Sequence, residues 1–554
     1  MKNKFLIWFW ILFPLLAFSQ GENDNWYFGN KAAVNFSGTT PLVLNNSVMN
    51  TLEAVGSISD LNGNLLFYTD GLTIWDREHN IMVNGTGLTG DSSSQQLIIV
   101  KDPGNLNRYY VFTTALSFPP TSYIAYSIVD MSLGPISLND GLPLGEVDNL
   151  YKNFPIFDSS NNFIQTEAIT AIPHSDGSSY WILIPFESEL YSYLLNSNGL
   201  SNVPVVSSLG NVTLQYYYYG IKPSLRLNNS LNYSHFITIN QWVSPGFSNT
   251  YSFDNNTGKI TNDYLLEIST IGPYLSEFNK DASILYLSSR YNAEVFAIDI
   301  PNSIGSVVSR LIYSNSSITN DACGIQRNTQ GDIYVSIEDR DYLAKIVNHN
   351  SFLNSYVDEN NIYLNGNSTR MGLPQRTPLH DGCISDILLN SPETNNNFLY
   401  KVSNTITTQS NYLINGQNIS MKAGNSITFL PNTEIVNGSD FLATIETCYS
   451  SKPNISNWPE KPLHLKTTIG TVKTSLVLDD KEIYVFPNPT TDILNISSKN
   501  GLEMKEIKIT DLSGRIVRTL NNASTINVSD LSAGTYLIDI TTNEGKASSK
   551  FIKK

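Results

Sequence analysis

From Asn25 to about Leu389 one phrase recurs, and it restricts the fold more than any single residue. A turn rich in Asp, Asn and Gly leads into a short strand of aromatic and β-branched residues, and then into a second strand. Asp60-Leu-Asn-Gly63 precedes Leu65-Leu-Phe-Tyr68 and Thr73-Ile-Trp75-Asp76. Ser175-Asp176-Gly177 precedes Tyr180-Trp-Ile-Leu-Ile184 and Leu190-Tyr-Ser-Tyr-Leu194. Asn328-Thr-Gln-Gly331 precedes Ile333-Tyr-Val-Ser-Ile337 and Tyr342-Leu-Ala-Lys-Ile346. The interval is roughly 40–55 residues, with one longer gap, which is the range of a β-propeller blade. Short sheets have two faces to bury and two edges to protect, and radial stacking in a ring buries the faces.

Six such units are readable directly. A seventh is expected as a composite, pairing Trp26-Tyr-Phe-Gly29 and Val34-Asn-Phe36 with strand from around Ile362 to Leu388. Seven blades is the expectation and six the alternative; a β-sandwich array is the rival fold, since sandwiches rarely repeat one turn–strand phrase at this spacing. Beyond a polar, Pro-containing edge near Ser391, short strands separated by Ala-Gly, Pro-Asn and Asn-Gly turns predict a small stacked β segment over 398–450. Residues 451–480 carry several prolines and few paired apolar positions and are expected to be a linker. Alternating strands then predict an antiparallel β-sandwich over 481–554. The fold class is therefore all-β, with a propeller over residues 20–390.

Residues 1–19 stand apart. Lys2 and Lys4 precede an apolar run from Phe5 to Phe18, and Ala17-Phe18-Ser19 supplies small residues before an expected cut. This is the pattern of a secretory signal peptide, with an uncleaved anchor as the alternative. No later apolar run reaches the roughly 20 residues a membrane helix needs, so no membrane span is expected in the mature chain. The formal net charge of −15, with no long basic block, argues against nucleic acid as a partner. Cys323, Cys383 and Cys448 are an odd set. Cys323–Cys383 is the candidate disulfide if one forms, against a reading as small buried residues. Neither their number nor their spacing makes a metal site, and no cofactor is implied.

The last seventy or so residues carry several separated motifs. They run Ile483-Tyr-Val-Phe-Pro487-Asn488-Pro489, Asp511-Leu-Ser-Gly514-Arg515, Leu531-Ser-Ala-Gly534-Thr535-Tyr536, and a close at Phe551-Ile552-Lys553-Lys554. This stretch resembles the type A sorting domain of the type IX secretion system. The resemblance implies passage across the outer membrane, recognition by the export machinery, and cleavage by its sortase, with the passenger attached to the surface or released. Pro487, Asn488, Pro489, Asp511, Gly514, Gly534, Tyr536 and Lys553 are the motif positions. From the residues alone, they serve turn geometry and sandwich packing.

No catalytic constellation rises above a structural explanation. His380-Asp381-Gly382-Cys383 holds a Cys/His pair but no surrounding peptidase signature. His174-Ser175-Asp176 holds three triad residue types, yet neighbours on a turn cannot form the relay. Asp60-Leu-Asn-Gly63 is explained by Asx turn formation. Glu167, Glu277 and Asp321 each precede or begin a blade and are candidates for a ligand-binding rim at one mouth of the ring. The leading expectation is a secreted or surface-attached binding protein for a protein or glycan. The alternatives are a hydrolase or lyase acting on extracellular polysaccharide, with acidic groups at the ring mouth, and a structural component of an adhesion or motility layer.

Overall fold

The computed structural model describes residues 21–554 apart from 115–122, 211, 213, 215–218, 228–232, 244–245, 271, 291–292, 316–321, 381–383, 394–396, 410, 446–462, 470–475, 479–480, 499–503, 512–514 and 543–544. The expected signal peptide lies outside these. The chain divides into two compact units, Met1–Thr468 and Ile469–Lys554.

Local turn chemistry starts each blade. In the first, Asp60 Oδ1 accepts from the backbone N–H of Asn62 and Asn64 at 2.8 and 2.9 Å, and Gly63 takes φ +82°, which frees the chain to reverse. The strands so joined are Gly56–Ser59, Leu65–Thr69, Thr73–Asp76 and Ile81–Thr86. The second blade begins with Leu97–Lys101, Arg108–Thr113 and Ala125–Asp130, and the short Glu146–Val147 and Phe154–Pro155 both pair with its third strand. The third is built on Thr170–Pro173, Tyr180–Phe186 and Glu189–Asn196, with Val205–Ser208 outermost.

The next three blades follow the same up-and-down order. They run Tyr219–Pro223 to Lys259–Ser269, Pro273–Phe278 to Val308–Ser314, and Ala322–Arg327 to Tyr356–Tyr363. The first strands of successive blades touch one another around an axis. The fold is a β-propeller.

A seventh sheet closes the ring, with a different composition from the expected one. It is three-stranded, Asn25–Phe28, Ala32–Asn35 and Leu42–Leu44. Tyr356–Tyr363, which contains Ile362, is instead the outer strand of the sixth blade, and Ile384–Leu389 joins the sheet beyond the propeller. The later chain reaches the seventh sheet by backbone bridges from Ser368 to Asn30 and Lys31, and Ile362, Leu364 and Leu373 pack into its core. The seam to the sixth blade is aromatic. Trp26 meets Phe36 at 4.7 Å and Tyr334 at 5.9 Å, both edge-on, and Phe36 lies 5.0 Å from Tyr334. Asp24 accepts from Thr329 Oγ1 at 2.7 Å across the same seam.

After the ring the ladders become parallel. Asn397 pairs with Asn418, and Asn418 with Asp440, so each coil advances about 21 residues and stacks on the last. Inside, the Tyr400 and Tyr412 hydroxyls both donate to Glu393 Oε2, at 2.8 and 2.6 Å, which satisfies a buried carboxylate. Within the stretch expected as linker, Leu463–Thr468 adds a parallel strand to the outer edge of the fourth blade. Long edges of this kind are open to pairing unless covered.

The second unit is a sandwich of two four-stranded antiparallel sheets. One is ordered Leu476–Leu478, Lys481–Phe486, Ile493–Ser498 and Thr525–Asn527. The other is ordered Ile516–Leu520, Met504–Asp511, Gly534–Thr542 and Gly545–Lys553. Alternate residues such as Ile507 and Ile509, and Ile538 and Ile540, fill the space between them.

Trp26 is 2% exposed at the seam. Trp26→Ala is expected to destabilise the first unit by about 3–5 kcal/mol, the usual cost of emptying a large aromatic site. Chemical denaturation of wild type and variant, followed by tryptophan-independent circular dichroism, measures it.

Candidate functional site

The first strand of a blade has no neighbour on its axial side, so its N–H and C=O groups there need other partners. Glutamines supply them. Gln96 accepts from the Ile221 N–H at 2.8 Å through Oε1 and donates to the Ile221 carbonyl at 2.9 Å through Nε2. Gln95 Nε2 donates to the Tyr274 carbonyl at 3.2 Å. Gln375 Nε2 donates to the carbonyls of Leu97 and Ile169 at 2.9 and 2.8 Å. Gln375 belongs to Leu373-Pro-Gln-Arg-Thr-Pro378, which runs along the axis. Thr377 exchanges two hydrogen bonds with the Asn23 side chain, at 2.7 and 3.2 Å.

Beside this segment lies a cavity of about 340 Å³. Lys222, Glu277 and Arg327 line it from the first strands of the fourth, fifth and sixth blades, each at or next to the strand's last residue. All are deeply buried, Glu277 to 1% exposure. Lys222 Nζ lies 3.2 Å from Glu277 Oε2 and donates to Gln326 Oε1 at 2.7 Å. The Arg327 backbone N–H donates to Glu277 Oε2 at 3.1 Å. Its Nη1 is anchored on the carbonyls of Phe278 and Asn279, both at 3.0 Å. Burial pushes the Glu277 carboxyl up, but Lys222, Arg327 and that N–H outweigh it and hold it below the usual range. Lys222 is pulled down by burial and by the neighbouring Arg327 and Arg376, more than Glu277 restores. One carboxylate thus serves several cations.

The remaining candidates are distributed as follows. Glu167 is 2% exposed and its Oε2 accepts from the Gln95 N–H at 3.2 Å; Asp321 lies outside the described residues. Cys323 is buried, and Cys383 lies outside the described residues. His380 packs on Tyr180 at 4.6 Å on the cavity wall, while 381–383 are outside the description. His174 Nδ1 accepts from the Asp176 N–H at 3.0 Å, a turn bond. Among the described residues, no group of three or more His, Cys, Asp or Glu is placed to hold a metal ion.

Sequence reasoning singled out Glu277 but not Lys222 or Arg376. Lys222 stands between Ile221 and Pro223 in an otherwise apolar strand, and Arg376 sits in a proline-bracketed polar run; those were the available signals. Glu53 was also missed. It is 6% exposed, and burial raises its carboxyl to about 7, against partial relief from Tyr274 and Arg290. Arg290 in turn lies over the Trp242 ring at 4.4 Å.

In the second unit the motif words meet at one end of the sandwich. Asn488 Oδ1 accepts from the Ile552 N–H at 2.8 Å, and Thr490 exchanges backbone bonds with Ile552 and Lys554. Pro487 and Pro489, both after cis bonds, flank Asn488. Gly534 pairs with Lys553 across the sheet. Tyr536 stacks on Phe551 at 5.5 Å and donates to the Ser532 carbonyl at 2.9 Å; Asp511 pairs with Tyr536 and ion-pairs Arg515 at 3.1 Å. Gly514 lies outside the described residues.

Residues 484–554 match the family described as the secretion system C-terminal sorting domain. The class is thus a β-propeller chain carrying a secretion sorting domain, and the sorting domain implies export to the outer cell surface or release. No helix among the described residues is long and apolar enough to cross a membrane. No curated protein matches the sequence. Among solved structures, the chain is similar to PorZ of Porphyromonas gingivalis, a surface component of the type IX secretion system. Identity is 12% over 95% of this chain and 68% of that one, with a TM-score of 0.28. It is also similar to the Cps50 (Swd1) β-propeller domain of Myceliophteria thermophila, at 10% identity over 60% and 91% of the two chains and a TM-score of 0.32. A third is apo AztD of Citrobacter koseri, at 11% identity over 63% and 88%, with a TM-score of 0.31. These scores are low, and the architecture rests on strand order and pairing.

Two buried groups give opposed pH dependences. Folded, Glu53 keeps its proton to about pH 7; unfolded, it loses it near 4.5, so its contribution to stability falls as pH rises through that window. His235 is held down to about 3 by burial, against 6.5 when unfolded, so its contribution falls as pH drops below 6.5. Between these limits, Glu53→Gln is expected to make stability rise with pH by about 1.4 kcal/mol per unit more steeply than wild type, and His235→Gln less steeply by the same amount. Urea unfolding across pH 5–6.5 checks both slopes.

Proposed function

We propose that this chain is a surface-delivered binding module, its propeller holding a protein or glycan ligand outside the cell after the sorting domain has taken it across the outer membrane. The observation that carries this reading is the joining, in one chain, of a secretion sorting domain to a closed ring with a preformed axial cavity. The cavity's central carboxylate supports binding over turnover. Glu277 is ion-paired and held in its ionised form, and a general acid needs the opposite, a raised pKa near working pH. Recognition by the export machinery and removal of the tail by a sortase belong to the same reading.

A second reading, a hydrolase acting on extracellular polysaccharide, draws support from Glu53. A carboxyl titrating near 7 beside Tyr274 and Arg290 has the protonation a general acid requires. The two separate on a glycan panel. Binding without product supports the module, whereas product formation that disappears in Glu53→Gln establishes the hydrolase.

The export step has its own test. Deleting residues 484–554 should leave the chain beneath the outer membrane of a strain with a working export apparatus, as read by protease accessibility on intact cells. Surface exposure of the truncated chain would remove the sorting assignment.

A further inference from the structure

The axial cavity is electrically opposite to the protein that contains it. The chain carries a formal net charge of −15, yet the cavity is lined by Lys222, Arg226, Arg327 and Arg376 against the carboxylates of Asp176 and Glu277. Part of that balance is already committed. Glu277 is shared between Lys222 and Arg327, Asp176 is tied into its own turn by the Ser178 and Ser179 N–H groups, and Asp24 acts on Arg376 from the ring seam. Cationic charge remains in excess.

Hydrogen-bonding capacity is in excess too. Arg327 is 3% exposed, and its Nε has no hydrogen-bond partner in the structure; the same is true of Thr377 Oγ1, also 3% exposed. A buried, unsatisfied guanidinium N–H is costly, and proteins normally satisfy such groups. An acceptor oxygen carrying negative charge would satisfy both the donors and the field. Arg guanidinium suits an oxyanion in particular, because its planar fork matches two oxygens at once. Pro223, Leu225 and Leu379 add apolar wall, and Ser224, His235 and Asn255 are among the neutral polar groups beside it. A volume near 340 Å³ stands at the small end of ligand pockets, about 300–1,000 Å³, and fits a molecule of monosaccharide size.

We infer that the axial cavity binds a small oxyanion-bearing molecule of about monosaccharide size, its acidic group held by Arg327 and Arg376 and its ring against Pro223, Leu225 and Leu379. This rests on the binding-module reading and gives it a ligand class. A uronic acid and a sugar phosphate present the same chemistry, and the experiment distinguishes them.

Isothermal titration of the full mature chain with glucuronate, glucose 1-phosphate and glucose is the test. The expected result is binding of one or both acids and none of neutral glucose. Affinity should fall with added salt and drop about tenfold or more in Arg376→Gln, the loss of one charge-assisted contact. Whichever acid binds more tightly identifies the oxyanion as carboxylate or phosphate. Arg327 is left intact because it also braces the fifth blade. Should Arg376→Gln fail to fold, the wild-type comparison of acid with neutral sugar, and its salt dependence, still decides. Equal binding of glucose, or no binding of any of the three, overturns the inference. In that event, retention of a polymeric glycan or protein with equal affinity by wild type and Arg376→Gln would leave the binding-module reading standing with its ligand elsewhere. Glycan turnover would remove that reading itself.

Discussion

Seven sheets arranged around an axis bring several unpaired strand edges to one place, and the structure depends on how those edges are satisfied. A single exposed edge can rely on water. At the centre of this ring side chains take part in that role. Gln96 reaches from the second blade to both backbone groups of Ile221 in the fourth, and Gln95 reaches to Tyr274 in the fifth. Gln375 ties the first strands of the second blade and the third to a segment that follows the sixth in sequence. A glutamine suits the task because it carries a donor and an acceptor on a side chain long enough to cross the gap. The same segment then carries Arg376 and Thr377 into the cavity. Closing the axis and equipping the site are thus one structural event.

What was legible in the sequence follows from the range of the interactions. Turns depend on bonds between residues two to four apart, so Asp60 with Asn62 and Asn64, and Asp176 with Ser178 and Ser179, could be recognised without knowing the fold. Strand alternation is equally local, which is why six blades, the stacked coil and the sandwich were readable. The sorting motifs were readable as words, though their meeting at one end of the sandwich, with Asn488 bonded to Ile552, needs the fold. The seventh sheet was half legible. Its N-terminal strands were recognised, but their expected partners went elsewhere. The seam is instead made by Trp26, Phe36 and Tyr334, whose packing leaves no periodic trace.

The axial residues were illegible for the opposite reason. Gln96 and Ile221 are 125 positions apart, and Lys222 and Gln326 are 104 apart. They become neighbours only once the ring is closed. Glu277 drew notice because residues at the start of a blade can line one mouth of a ring. Its character, however, is set by partners from two other blades. On sequence it was a candidate for a ligand-binding rim at one mouth of the ring; in the structure it is a buried ion-pair partner, nearly inaccessible to solvent.

The proposed site depends on rigid placement. Each charged group is held by bonds that do not depend on a ligand: Arg327 by the carbonyls of Phe278 and Asn279, Lys222 by Gln326, and Glu277 by the N–H groups of Phe278 and Arg327. Such groups lose little conformational freedom when something binds, so more of the interaction energy appears as affinity. Burial strengthens the field for the same reason that it disfavours the isolated lysine charge. A ring of sheets can hold cations this close together because Lys222 and Arg327 stand on different blades and Arg376 on the axial segment, and the blades are fastened to one another at the axis and at the aromatic seam. Mutual repulsion among Lys222, Arg327 and Arg376 is therefore borne by the closure of the whole ring, and an anion entering the cavity would relieve it.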